Sequence, residues 1–116
     1  MNATPTVEQH FDRRAPVVRT IYDAIVSASR RFGGVVEDPK QTSIHLNRRS
    51  AFAGITTRKD ALILTIKAPE DIKSPRIHKH AQASARRWYL ELRLDDPAQV
   101  DRELVQWLEQ SFEISA

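Results

Sequence analysis

The stretch that decides the fold is residues 42–67, TSIHLNRRSAFAGITTRKDALILTIK. Three runs within it are rich in β-branched and apolar residues, and in the first run Ile44 and Leu46 alternate with polar residues. This period of two is typical of strands that bury one face. The polar connections between the runs are short, which favours antiparallel pairing of neighbouring strands. The sequence therefore predicts a β-meander built from residues 42–46, 51–57 and 62–67.

Upstream of the meander the sequence predicts helical structure. Residues 6–11 are a short helical candidate, and a longer helix begins at Pro16, which suits a first helical turn because its missing N–H costs nothing there. Gly33-Gly34 supplies residues that tolerate positive φ and stop that helix. Its apolar residues follow the three-and-four spacing of a helix with one buried face: Val18, Ile21, Tyr22, Ile25, Ala28 and Phe32.

Downstream of the meander the alternation stops and then returns. Residues 68–86 contain Pro69, Pro75, many charges and two histidines, and they are predicted to form a long basic loop. Residues 88–94 alternate again as a final strand. The sequence Asp95-Asp96-Pro97 then predicts a helix start. The second helix carries its apolar stripe at Val100, Leu104, Trp107, Leu108 and Ser111.

This order of elements predicts an α+β fold in two layers. We expect an antiparallel four- to five-stranded meander sheet, with an N-terminal and a C-terminal helix packed on one face. The 116 residues are the size of a single domain, 1–116, in which residues 1–15 form an N-terminal extension. We therefore expect no separate cofactor domain.

Composition excludes several function classes. The chain has no cysteine, which removes disulfides, thiol nucleophiles and thiolate zinc sites. No apolar run is long enough for a membrane helix, and the first residues lack the pattern of a signal peptide, so we expect a cytoplasmic protein. The sequence also lacks a nucleophile elbow, a phosphate-binding glycine loop and a zinc-protease motif. We therefore expect neither a catalytic site nor a cofactor.

Charge is unevenly distributed along the chain. Residues 48–93 hold eleven basic and four acidic side chains, whereas residues 94–116 hold one basic and six acidic. A basic block of this kind favours an anionic partner, because guanidinium groups bind oxyanions bidentately. The alternative is that the acidic tail packs beside the basic strands and cancels their field.

The basic candidates for anion binding cluster around the predicted loop. His78 and His80 are two residues apart, so both rings project from one side of an extended segment. The surrounding cations disfavour a divalent metal at these histidines. Tyr89 is an aromatic candidate for stacking on a nucleic-acid base. The predicted anion-binding residues are Arg76, His78, His80, Arg86, Arg87 and Arg93.

Three functions remain open from the residues alone. The leading one is a non-enzymatic binding module for a phosphate-bearing ligand, nucleic acid or an acidic protein surface. The second is protein interaction or homodimer formation, in which the 88–94 strand pairs with another chain at a sheet edge. The third is a small metal-dependent hydrolase that uses Asp60 and Glu91 beside Arg93.

Several motifs also occur in a recognisable order along nearly the whole chain. In this order they resemble domain of unknown function 5655. The resemblance implies a compact α+β domain of bacterial cytoplasmic proteins, and it implies no activity and no site residues. The motifs are PVVRTIY at residues 16–22, FAGI at 52–55, RKD at 58–60, SPRI at 74–77 and VDRELVQWL at 100–108.

Overall fold

The computed structural model describes residues 4–116, so the first three residues of the predicted N-terminal extension lie outside it. A short 3-10 helix, Glu8–Phe11, occupies the predicted helical candidate, and another, Pro97–Gln99, precedes the second long helix. The long elements are, in chain order, α1 (Pro16–Ser29), β1 (Val36–Pro39), β2 (Ile44–Asn47), β3 (Ala51–Thr57), β4 (Leu62–Ala68), β5 (Ile77–Ser84), β6 (Arg87–Leu94) and α2 (Arg102–Glu113).

The α+β class and the antiparallel sheet are confirmed, but the strand number is corrected. Among residues 4–116 the sheet has six strands, in the order β1-β2-β3-β4-β6-β5. The sheet is a meander only as far as β4, because β6 pairs with β4 and β5 lies outside β6. Strand β6 is therefore an interior strand, and the prediction that residues 88–94 form a sheet edge is wrong.

The prediction of a loop over residues 68–86 is also wrong for much of this range. Residues 77–84 form β5 and the irregular connection covers only 69–76. An edge strand needs no alternating apolar face, and every residue of β5 after Ile77 is exposed. The two bulges of β5, at Ile77/Lys79 and Gln82/Ser84, disturb its period further. For these reasons the sequence of β5 looks like a loop.

Both long helices pack on one face of the sheet. Val18, Ile21 and Ile25 of α1 and Leu104 and Leu108 of α2 are fully buried against it. They share one hydrophobic core with inward-facing strand residues, including Ile44, Leu46, Ile55, Leu62, Leu64, Ile66, Leu90, Leu92 and Leu94. The opposite face of the sheet, which we call the open face, carries neither α1 nor α2.

Local signals fix the ends of the two helices. After α1, Gly33 has φ +153°, so the predicted positive φ occurs at the first glycine of the pair. Asp101 begins α2 by accepting a hydrogen bond of 3.0 Å from the amide of Leu104. Arg48 ends α2 by donating to the carbonyl oxygen of Phe112 at 3.2 Å. Within residues 4–116, no helix is long and apolar enough to cross a bilayer.

Candidate functional site

The open face is built by the outward-facing half of each strand. Strand pairing aligns His45 with Gly54, Gly54 with Thr65, and Thr65 with Glu91 in one row across the sheet. The next row aligns Lys67 with Tyr89. These residues alternate with core residues along their strands, which is why they point away from the helices. The open face therefore presents polar and aromatic side chains that the core does not use.

A depression of about 470 Å³ lies on this face above β3 and β4. Gly54 contributes to its lining without a side chain, and a Cβ placed there would approach only the Cβ of Thr65, at 3.8 Å. No acidic residue lines the depression. The lining residues are Ser43, His45, residues 51–56, residues 65–67 and Tyr89.

Lys67 brings the positive charge to this depression. Its Nζ atom lies 3.2 Å from Oγ of Ser50. No carboxylate of the described residues forms an ion pair with it. Partial burial, and then the nearby charge of Arg87, lower the pKa of Lys67 below that of an ordinary lysine. The ammonium group is therefore partly desolvated, and no carboxylate of the described residues neutralises its charge.

Arg87 is the second cation at this end of the open face. It follows the β5–β6 turn and precedes Tyr89 by two residues, so both side chains project to the same side of β6. The Nε atom of Arg87 is buried and has no hydrogen-bond partner among the described residues. An unpaired buried donor is costly unless something binds it. Arg87 and Lys67 together form an uncompensated positive pair.

The structure disperses the other predicted anion-binding residues. Arg76 lies beside α2, where Nη1 contacts Asp101 at 2.9 Å and Glu103 at 3.1 Å. Arg93 contacts Asp95 at 3.2 Å and Asp60 at 3.6 Å. Both guanidinium groups are therefore already paired with carboxylates.

The two predicted histidines also do not contribute to the positive pair. Nδ1 of His80 lies 2.5 Å from Asp71 of the 69–76 connection, so this ring ties the connection to β5. His78 is an exposed residue in the first bulge of β5. Arg86 is exposed in the turn before β6. Of the six predicted residues, only Arg87 contributes to the arrangement with Lys67.

Lys67 is not among the residues predicted from the sequence to bind an anion, although the sequence contains a signal for it. Lys67 follows Thr65 with the same period of two, on the side of β4 opposite Leu64 and Ile66. Grouping the outward residues of β4 with those of the strand containing Tyr89 identifies the pair. That grouping requires knowing that β6, and not β5, is the neighbour of β4.

The carboxylates of the hydrolase hypothesis do not converge. Asp60 contacts Arg93, and Glu91 lies 3.9 Å from Nζ of Lys79. Over residues 4–116, no group of three histidine or acidic side chains is arranged to hold a metal ion. The geometry of these side chains therefore gives no support to a metal centre.

The acidic tail neutralises part of the basic block. Asp101 and Glu103 of α2 pair with Arg76, and Asp95 pairs with Arg93. Lys67 and Arg87 form no such pairs in the described part of the chain. Pairing with the acidic tail therefore holds for Arg76 and Arg93, whereas an anionic partner for Lys67 and Arg87 stays a prediction.

Comparison with known proteins agrees with the motif resemblance. The family model described as a domain of unknown function, DUF5655, matches residues 7–115. The chain belongs to this family. The match includes the strands that form the depression and both long helices. The searches of curated proteins and of solved structures give no significant match to this DUF5655 chain.

Proposed function

We propose that this DUF5655 domain is a non-enzymatic binding module that takes an anionic ligand in the depression on its open face. The observation that carries the proposal is the positive pair, Lys67 and Arg87, which has no carboxylate partner in the described residues and stands beside a depression without acidic lining. Arg76 and Arg93 are left out of the proposed site because their charges are already paired.

Electrostatics gives this arrangement a preference for anions. Two like charges in a partly desolvated place repel each other, and this repulsion adds to the larger effect of burial in lowering the pKa of Lys67. An oxyanion between them would replace repulsion with two charge-assisted interactions. Anion binding thus relieves the repulsion between the two cations.

The remainder of the depression suits an apolar or planar ligand body. Its volume falls in the range of ordinary small-molecule sites, roughly 300–1,000 Å³. Tyr89 is 39% exposed, which leaves part of its ring free to stack. Gly54 leaves the space between His45 and Thr65 open. The proposed ligand therefore carries an anionic group at one end and a ring or short apolar body at the other.

A titration with phenyl phosphate followed by NMR of the backbone amides tests the proposal. We expect shifts concentrated at Gly54, Thr65 and Tyr89. Lys67→Gln and Arg87→Gln are each expected to weaken binding roughly tenfold, because each removes one charge-assisted contact. Lys59→Gln is the matched control, since Lys59 is an exposed cation at the opposite end of β4.

The outcomes separate the proposal from its competitors. Equal weakening by Lys59→Gln would mean that only net charge matters, and it would overturn the proposed site. Absence of shifts with phenyl phosphate would overturn it as well. If a short oligodeoxythymidine binds more tightly than phenyl phosphate and its affinity falls steeply with salt, the anion is supplied by a nucleic-acid backbone at the same residues.

Self-association is the second candidate function, and it now concerns β5. The outer edge of β5 has no strand partner among residues 4–116. However, Lys79 and two bulges lie on this strand, and such features disfavour edge pairing. We therefore rank it below ligand binding. A mass measured by light scattering that rises with concentration, and that falls after Ala81→Pro, would reverse this order.

A further inference from the structure

A second basic cavity lies at the opposite end of the sheet from Lys67. It has a volume of about 460 Å³ and is found where β2 begins, where β3 ends and where the N-terminal segment packs against both. We call it the basic cleft. It is lined by Gln9, His10, Asp12, Arg13, Arg14, Gln41, Thr42, Thr56, Thr57 and Arg58.

The charge of the basic cleft is strongly one-sided. Three guanidinium groups line it, those of Arg13, Arg14 and Arg58, against the single carboxylate of Asp12. None of the three arginines forms an ion pair with a carboxylate of the described residues. Three guanidinium groups around one cavity repel one another unless an anion lies between them.

Two of the guanidinium groups are held in place by the fold. The buried hydroxyl of Thr57 donates to the carbonyl oxygen of His10 at 2.6 Å and accepts from Nε of Arg14 at 3.1 Å. The backbone carbonyl of Thr57 lies 3.5 Å from Nη1 of Arg58. Nη1 of Arg14 makes no hydrogen bond in the described structure, so it is free to donate to a ligand. Donors fixed in this way lose little entropy on binding.

Arg13 has an unusual backbone conformation in the turn after the first 3-10 helix, where the amide of Arg14 donates to the carbonyl oxygen of Phe11 at 3.1 Å. Its φ is 59°, and it is the one non-glycine residue of positive φ among residues 4–116. The left-handed region is unfavourable for a residue with a Cβ, and such outliers concentrate at ligand sites. The side chain of Arg13 is exposed and makes no hydrogen bond or ion pair in the described structure. Its turn therefore presents a free guanidinium at the cleft at a conformational cost.

We infer that the basic cleft binds an oligophosphate group, with Arg13, Arg14 and Arg58 as its contacts. Several adjoining phosphoryl groups match three guanidinium groups, because each planar guanidinium can bind a phosphate bidentately. The hydroxyl groups of Thr42 and Thr56 add neutral donors to the same cavity. This site is separate from the positive pair of Lys67 and Arg87, and the inference does not rest on the proposed function.

Calorimetric titration of the full chain with sodium tripolyphosphate tests the inference. We expect saturable binding that weakens with salt. Arg13→Gln and Arg58→Gln are each expected to weaken it roughly tenfold or more, because a charge-assisted hydrogen bond is lost. Arg31→Gln is the matched control, since Arg31 is exposed beyond the end of α1 and does not line the cleft. Arg14 is left unchanged because it also holds Thr57.

Each outcome of the titration either supports or overturns the inference. Absence of binding, or equal weakening by Arg31→Gln, would overturn the inference. Arg13→Gly separates the charge from the fold, because it removes the guanidinium and also relieves the unfavourable φ. We expect a folded protein with weakened tripolyphosphate binding, and unchanged affinity would overturn the role of Arg13. Lys67→Gln should leave tripolyphosphate affinity unchanged, so failure of the open-face proposal does not affect this result.

A second ligand identifies where the phosphate groups come from. A short oligodeoxythymidine that binds and loses affinity through Arg13→Gln would indicate the backbone of a single-stranded nucleic acid. Tripolyphosphate binding without oligonucleotide binding would indicate free or nucleotide-borne oligophosphate. Both results support a site for several phosphate groups, and they differ in the source of these groups.

Discussion

Ser111 of α2 donates a hydrogen bond of 2.6 Å from its hydroxyl to the carbonyl oxygen of Phe52 in β3. The same hydroxyl accepts a hydrogen bond of 2.9 Å from the amide of Lys67 in β4. The last paired residues of β3 and β4 at this end are Ala53 and Ile66, which are the chain neighbours of Phe52 and Lys67. A side chain of α2 therefore continues the ladder where the two strands separate, and it fixes the backbone of the lysine that faces the depression.

Ser111→Ala is expected to lower the free energy of unfolding by about 1–3 kcal/mol, because it leaves a buried carbonyl and a partly buried amide without partners. Denaturant unfolding of the variant measures this loss. Ser27→Ala is the control, since Ser27 is exposed on α1 and its replacement should change stability by less than about 0.5 kcal/mol. Equal effects of the two variants would contradict the bridging role of Ser111.

The two glycines after α1 are expected to differ sharply. Gly33 has φ +153°, and an added Cβ would lie 3.1 Å from the ring of Phe112. Gly33→Ala should therefore cost about 1–3 kcal/mol of stability. Gly34→Ala should be close to neutral, because nothing lies within 4 Å of the added Cβ. Thermal unfolding of both variants measures the two losses of stability. A similar loss for each variant would show that only the reduced flexibility of the chain matters.

Filling the depression tests the ligand site without changing charge. Gly54→Val places a β-branched residue in a strand where the added Cβ makes ordinary contact with Thr65. We expect stability equal to the parent or higher by up to about 1 kcal/mol. Phenyl phosphate binding should be lost in the NMR titration. Unchanged binding in the folded variant would place the ligand elsewhere.

Lys67→Met is expected to raise the stability of the fold at neutral pH. The folded state lowers the pKa of Lys67, by burial and by the charge of Arg87, so folding opposes its protonated form. The resulting destabilisation is present at neutral pH and disappears as pH rises towards the pKa of the unfolded lysine. The expected gain is below about 1 kcal/mol, because the side chain is partly solvated. Denaturant unfolding at neutral and alkaline pH should show the gain shrinking.

Tyr22 is expected to make the stability of the fold depend on pH in the alkaline range. Burial, together with the hydrogen bond that its hydroxyl donates to Glu37, raises the pKa of Tyr22 well above its usual value of 10.0. Because the unfolded chain loses this proton first, stability falls as pH rises above about 10. Tyr22→Phe should flatten this decline. An unchanged alkaline profile in the variant would assign the decline to other groups.

Sequence patterns predicted the elements that bury a face. Residues of α1, β3 and β4 show their period because one side of each element packs on the core. Strand β5 escaped prediction because only Ile77 of its eight residues is buried. The position of β6 between β4 and β5 could not be predicted, since alternation along a strand contains no information about its neighbours.

Sequence patterns could not show which of the predicted site residues lie together, for a different reason. Arg76 was correctly identified as a cation, but its position beside Asp101 and Glu103 depends on how α2 docks. Lys67 and Arg87 are twenty residues apart, and the charge of Arg87 reaches Lys67 only because β4 pairs with β6. The sequence states which charges exist, whereas the docking of α2 and the strand order decide which remain free.

The outer position of β5 also has a consequence for how the protein opens. This strand shares its ladder with β6 alone and anchors one residue, Ile77, in the core. Detaching it exposes little apolar surface and leaves the helices on the remaining strands undisturbed. Backbone amides of β5 should therefore exchange with solvent deuterium through fraying that costs less than global unfolding. Local stability therefore differs across the sheet. It is highest at the strands that carry Leu64 and Leu92 and lowest at the outer strand that carries the two histidines.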